Sequence, residues 1–280
     1  MPLQKIAGFE STGYAMLHGQ VVWAGEDART DHPRNARKPW RAEALLCDAD
    51  SLRAGARQCL AMVGTLLDAP PLAPPSPGGR GCRSRSPAGR GSPAPLAKKG
   101  LLLWLTNEPL PFPMDRAAAR FDAIRSALER NHLRDLETAA LRVLGLGEGL
   151  TPSGDDFLGG ICFALKHAPR RTWRAEFPSV LAAIRAAATT STNVISAALL
   201  SDLIEGSSYR AAHELVAALQ AGAPHEIERA ARSLLGVGAS SGADILAGVL
   251  VALITTPDDD TPATCDSAHD RRPGRTQPTS

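Results

Sequence analysis

Aromatic residues are scarce, at 4% of a 280-residue chain. That disfavours a base-stacking surface. An excess of one charge is missing too. Lys+Arg 31 against Asp+Glu 29 leaves a formal net charge of +2, whereas a dedicated nucleic-acid binder is strongly basic. No Cys-x-x-Cys occurs, and Cys47, Cys59, Cys82, Cys162 and Cys265 are scattered and odd in number. Neither a disulfide framework nor a zinc knuckle fits. The seven histidines (His18, His32, His132, His167, His213, His225 and His269) do not pair at metal-ligand spacing, so no metal site is expected. The start lacks a cationic segment followed by an apolar one. The longest apolar run, Ile245 to Ile254, is about half of the roughly 20 residues that span a bilayer. These absences predict a cytoplasmic protein that does not engage a membrane. The 44% apolar content is enough for a sizeable core.

Two segments stand apart in composition. Residues 69–98 are almost all Pro, Gly, Ser, Ala and Arg, a mixture that cannot offset ordering entropy by burial. They read as a disordered insertion in a surface loop. The competing reading is an arginine-rich nucleic-acid segment, since 76–99 holds basic residues and no acid. Residues 256–280 lack periodicity and read as a disordered tail. About 224 residues remain, which suits one large domain or two small ones.

The fold class expected is α+β. A small N-terminal part (1–68 plus 99–112) precedes a helical array over 113–255. Tyr14 to Ala24 reads as a strand, or a hairpin broken at Gly19, and Glu43 to Cys47 as a second short strand. Residues 49–68 carry a helical apolar face with Asp50 or Ser51 as cap. The run Leu101 to Leu105 reads as a buried strand, ended by Thr106-Asn107-Glu108-Pro109. Helices follow at Asp115 to Glu129, around Leu133 to Leu144, at Trp173 to Ala188, Thr192 to Glu205, Tyr209 to Ala221 and around Ile227 to Leu235, with a last one at Gly242 to Leu253.

The informative feature is a repeat. Residues 144–165 read LGLGEGLTPSGDDFLGGICFAL and residues 235–253 read LGVGASSGADILAGVLVAL. With Ser153 aligned on Ser241, seven of thirteen positions are identical, and the one polar mismatch sets Asp155 against Ala243. Each copy spells helix end, glycine turn, helix start. Gly145 and Gly236 are expected to close the preceding helix in the left-handed conformation. Ser153 and Ser241 are expected as N-caps, with Asp156 and Asp244 at capping-box spacing. Gly160 and Gly248 sit mid-helix, where glycine costs about 1 kcal/mol relative to alanine. Close packing justifies that cost, so the two helices should cross there, related by a pseudo-two-fold.

Caps and packing explain much of both motifs without a ligand, and more of the second copy than of the first. The first copy has three extra residues and more polar groups than caps require. Gly147, Gly149, Thr151, Ser153 and Gly154 surround one helix N-terminus, which favours phosphate or carboxylate. Asp155 and Asp156 would repel an anion unless one caps the helix and the other meets a metal or a substrate amide. Asp155, Asp156 and Thr151 are therefore the candidate catalytic residues. Gly147, Gly149, Ser153, Gly154, Thr192, Ser241, Gly242 and Asp244 are the candidate ligand-binding ones. Thr192 enters through the run Thr189 to Asn193, one member of which must cap the next helix. No cofactor is required by these residues, and magnesium is the one candidate. The turn is neither a P-loop, because no Lys follows at the required spacing, nor a Rossmann turn, because a helix precedes it.

The run GLGEGLTPSGDDFLGG, the Thr/Ser-rich helix start and LGVGASSGADILAG together resemble the AllH-like family, which includes a subunit of oxamate carbamoyltransferase. The resemblance covers roughly residues 115–255. It implies work with two different partner chains in purine-nitrogen (allantoin) breakdown, where a carbamoyl group moves between oxamate and phosphate. Thr151-Pro152-Ser153-Gly154-Asp155-Asp156 match the family motif residue by residue. The resemblance brings no catalytic assignment for them. The insertion and the long tail depart from the family pattern. Of the phosphate-loop and His-Pro-x-Gln motifs of ordinary transcarbamoylases, only His32-Pro33-Arg34-Asn35 is close, which reads as coincidence. Three functions compete: an enzyme subunit with an anion site at 145–156, a non-catalytic scaffold whose turns are structural, and a nucleic-acid-associated protein using the arginine-rich loop.

Overall fold

The two residues His18 and Gly19 both take positive φ, 51° and 77°, the backbone that joins two twisted strands in a tight hairpin. In the computed structural model, which describes residues 4–8, 12–25, 31–36, 39–42, 47–68 and 99–255, this turn links β2 (Thr12–Leu17) to β3 (Gln20–Gly25). A strand that the sequence pattern does not announce, β1 (Gln4–Gly8), pairs antiparallel with β2. The sheet runs β1-β2-β3, with Tyr14 opposite Trp23.

Ten α-helices follow among the described residues: α1 (Ala49–Asp68), α2 (Leu102–Leu105), α3 (Ala118–Glu129), α4 (Leu133–Leu141), α5 (Ser153–His167), α6 (Phe177–Ser191), α7 (Val194–Glu205), α8 (Arg210–Ala221), α9 (Pro224–Leu235) and α10 (Ser241–Ile254). The α+β class expected from the sequence is what the structure shows. At the centre α5 packs against α10. Every residue of α10 from Ser241 to Leu253 is buried, because its long apolar run has neighbours on all sides. α7 lies against α5, while α1 and α9 lie against α10. The stripe Ile227, Ala230, Ala231 and Leu234 of α9 is buried as its spacing predicts.

Two local expectations are corrected. Leu101 to Leu105 is not a strand but the single helical turn α2, its four residues all buried. A short run apolar throughout fits either element, and here Leu105 N–H bonds the Leu101 carbonyl at 3.1 Å. α1 is capped not by Asp50 or Ser51 but by Asp48, whose carboxylate accepts from Ser51 N–H at 2.8 Å. Of the strand expected at Glu43 to Cys47, residues 43–46 lie outside the described residues, and Cys47 is not in a strand. The insertion 69–98 and the tail 256–280 also lie outside them.

The sheet is fastened to the helices through His32 and Arg34. Trp23 packs on His32 and Tyr209, with ring centroids 4.5 and 5.8 Å away. The Arg34 guanidinium grips both carboxylate oxygens of Asp202 on α7 and the Val21 carbonyl. His32 and Arg34 thus hold the sheet to α7 and to the start of α8. Among the described residues, no helix is long and apolar enough to cross a membrane.

Candidate functional site

The two glycine turns share a backbone bond. Gly154 N–H reaches back to the Leu146 carbonyl at 2.8 Å, and its counterpart Gly242 N–H reaches the Val237 carbonyl at 3.0 Å. Neither position has room for a side chain. A Cβ on Gly154 would lie 3.0 Å from the carbonyl carbon of Val143, and one on Gly242 would lie 2.8 Å from that of Leu234. Each turn is thus folded onto the end of the helical segment before it. The helices then cross where the mid-helix glycines predict. A Cβ on Gly160 would meet the Ile245 backbone, and one on Gly248 the Phe157 backbone.

The capping arrangement differs from the expected one. Ser153 and Ser241 are the first helical residues, while Pro152 and Ser240 hold the cap positions without a side-chain bond. Asp156 and Asp244 therefore sit too far into the first turn to close a capping box. Their carboxyls turn to the opposite repeat instead. The hydroxyls of Ser241 and Thr151 lie beside the Asp156 carboxyl. The hydroxyls of Ser153 and Ser240 lie beside Asp244, which accepts from the Leu101 N–H at 2.7 Å. Thr151 and Ser241 join the two turns directly, with their hydroxyl oxygens 2.8 Å apart. Thus Thr151, Ser153, Asp156, Ser241 and Asp244 meet at one place, the paired N-termini of α5 and α10.

Asp155 and Thr192 have a different occupation. The Asp155 carboxylate accepts from Gly145 N–H at 2.7 Å, from Thr192 Oγ1 at 2.5 Å and from Ser196 Oγ at 2.6 Å. Both oxygens are taken by the chain's own donors, and the residue is 1% exposed. This carboxylate is not free to hold a metal or a substrate amide as expected. It locks the first turn onto the start of α7. Asn193 completes the lock, capping α7 through Oδ1 while its amide donates to the Leu150 carbonyl at 2.9 Å. The second copy has Ala243 here, and the turn responds. Gly145 is left-handed (φ 70°), but Gly236 is right-handed (φ −78°), and Gly238 takes the left-handed position (φ 64°) instead. The symmetric expectation for Gly145 and Gly236 fails at Gly236 because no carboxylate draws its N–H inward.

Two features of the site point beyond packing. First, the N–H groups of Gly147, Glu148, Gly149, Leu150, Thr151 and Ser153 have no protein acceptor among the described residues. Gly147 and Gly149 take φ of 119° and 95°, conformations that side chains resist. Unpaired N–H groups beside a helix N-terminus favour a nearby negative charge. Second, Asp156 and Asp244 are buried, and the Oδ2 atom of each lacks a hydrogen-bond partner. Burial pushes the Asp156 carboxyl well above the carboxylate range, and the neighbouring Asp244 pushes it further. Burial also raises Asp244, to about 7. Both shifts favour the protonated forms of the pair.

Tyr14 from β2 and Tyr209 before α8 stand in the field of Asp156. Their hydroxyls are raised, by burial first, then by Asp156 for Tyr14 and by Tyr14 and Asp156 for Tyr209. Sequence reading missed both tyrosines and the Leu101 amide, which come from distant segments and carry no motif. Two surface grooves of about 420 and 470 Å³ lie away from the turns, between α8 and α9 and beside Trp104. Among the described residues no cluster of three or more His, Cys, Asp or Glu is arranged to hold a metal.

Fold and site together define a helical protein with an internal pseudo-two-fold, its paired glycine turns setting two helix N-termini side by side. Residues 143–253, the span holding both turns and both crossing helices, match the family model described as oxamate carbamoyltransferase subunit AllH. No curated protein and no solved structure gives a significant match.

Proposed function

We propose that the chain is a subunit of a cytoplasmic carbamoyltransferase complex of two further subunits, and that its first glycine turn, 145–156, binds the phosphate end of phosphate or carbamoyl phosphate. The observation that carries this reading is the row of unpaired N–H groups from Gly147 to Ser153 beside the start of α5. Such donors stabilise phosphate oxygens without rearrangement during transfer. Thr151 and Ser241, already paired hydroxyl to hydroxyl, reorient to donate to the anion. Gly154 and Gly242 keep the turns folded, and Asp155 with Thr192 positions the first turn from beneath. The co-substrate class is a small amide or carboxylate of the oxamate type, as in allantoin nitrogen breakdown. Magnesium, were it to accompany the phosphate, would not draw on Asp155, whose oxygens accept from Gly145, Thr192 and Ser196.

A thermal-shift titration tests this with phosphate, carbamoyl phosphate, oxamate and a sulfate control. A ligand at 100 times its dissociation constant adds about 2.7 kcal/mol, roughly 5–11 °C for a domain of this size. The expected result is a shift specific to phosphate or carbamoyl phosphate that Thr151→Val reduces. Equal shifts with sulfate, or none, would count against the site.

One observation favours a second reading, a scaffold subunit: the bonds of Asp155 are all internal. Activity of a complex reconstituted with its partner chains that survives Thr151→Ala combined with Ser241→Ala would favour the scaffold.

A further inference from the structure

Two buried carboxyls that face each other across a helix crossing need something to neutralise them. Ionised together in a dry site they repel strongly, which is why such pairs share protons. At the α5/α10 crossing no ion pair reaches Asp156 or Asp244 among the described residues. The groups around them are neutral: the hydroxyls of Thr151, Ser153, Ser240 and Ser241 lie beside the pair, and the Leu101 N–H donates to Asp244. Each carboxyl keeps one buried oxygen, Oδ2, without a partner. A proton is the smallest group that meets this need.

The neighbours of the pair narrow its role. The titratable groups nearest to it are Asp155 on α5, Tyr14 from β2 and Tyr209 before α8. Asp202 on α7 is engaged by Arg34, and Cys59 on α1 and Cys162 on α5 are buried thiols pushed up to about 12 by burial. None of these groups supplies positive charge. The N–H row of the first turn includes Thr151, whose hydroxyl meets that of Ser241 at 2.8 Å and lies beside Asp156. An anion seated on that row places negative charge beside two carboxyls.

We propose that Asp156 and Asp244 form a proton-holding pair that couples anion binding at the twin turns to proton uptake. The inference rests on the anion site proposed above and adds its regulation. Arrival of phosphate disfavours the ionised form of the pair, so a proton enters from solvent and remains until the anion leaves. No covalent bond changes. The balance is one anion bound for a fraction of a proton taken up, and the fraction depends on pH.

Calorimetric titration of the full chain with inorganic phosphate, in buffers of different ionisation heat, reads that fraction directly. If the anion raises an apparent pKa of about 7 by a unit, uptake at pH 7.5 is about half a proton per phosphate bound, after allowing for the ligand's own titration. Uptake should fall toward zero at pH 5.5, where the pair is already protonated. It should also be lost in Asp244→Asn, with Asp244→Ser as a second variant should the first not fold. Phosphate binding with the same proton count at both pH values would overturn the coupling and leave the anion site standing. Absence of any phosphate heat would overturn the anion site and the coupling together.

Discussion

Gly248→Ala should destabilise the protein, although alanine is the better helix former. In a helix interior the exchange gains about 1 kcal/mol from propensity. At this position the added methyl would stand 3.0 Å from the Ile161 amide nitrogen and nearer still to the Phe157 carbonyl oxygen. Both atoms are backbone of α5, so no side chain can swing aside. The helices must separate, and overpacking of this kind costs about 1–3 kcal/mol, occasionally more. With rigid backbone on the far side, the upper part of that range applies. The net loss should be about 2 kcal/mol, lowering the melting temperature by roughly 4–8 °C. Gly64 provides the control. It lies on the exposed face of α1 with no atom within 4 Å of an added Cβ, so Gly64→Ala should gain about 0.5–1 kcal/mol. Urea unfolding followed by circular dichroism measures both. Equal stabilisation by the two substitutions would refute the close crossing of α5 and α10.

Asp155→Ala should cost about 3 kcal/mol or more, because it strands Gly145 N–H and two hydroxyls near the start of α7. A variant that keeps the wild-type melting temperature would return Asp155 to the list of ligand contacts. Thr151→Val and Ser241→Ala should couple by about 0.5–1.5 kcal/mol in a double-mutant cycle of unfolding, and additivity would mean that the 2.8 Å contact carries nothing. Stability should also fall with acid. Burial lowers His32 to about 3 and His213 to about 4, with Arg34 adding to the shift at His32 and His167 at His213. Both folded values lie below the unfolded 6.5, so the unfolded chain binds more protons from there down toward pH 4. Each histidine then removes about 1.4 kcal/mol per pH unit at most. Asp244, raised to about 7, has the opposite sign: its contribution is present at low pH and is lost as pH rises through 7. Asp244→Asn should therefore steepen the acid-side decline in melting temperature below pH 6.5, and an unchanged slope would contradict the raised carboxyl.

Much of this was legible in the sequence because glycine and apolar spacing report directly on backbone contacts. Gly160 and Gly248 announced a crossing that the structure has at those residues, and the α9 stripe announced its buried face. What failed to show was any choice made by tertiary context. Leu101 to Leu105 has no periodicity with which to choose between strand and helix. It forms a helical turn whose leading N–H is held by Asp244 from far along the chain. Asp155 looked like a ligand contact because it breaks the repeat. Its partners, Thr192 and Ser196, lie in a run whose only visible duty was to cap α7. Tyr14 and Tyr209 had no local signal at all.

The break in the repeat is therefore better explained by anchoring than by chemistry. Two identical turns at a pseudo-two-fold would present identical N-termini. Asp155 instead draws Gly145 inward and ties the first turn to α7, whereas the second turn, with Ala243, has no such tether. The first turn is also three residues longer and carries the unpaired N–H row. A long loop with free donors is held open to a ligand only if something fixes its base, and Asp155 does that from a buried position. The shared elements, Asp156 and Asp244 with their crossed hydroxyls, remain on the symmetric axis. On the proposed reading, the anchored turn supplies the recognition surface, and the symmetric pair supplies a site where a proton can be held beside it.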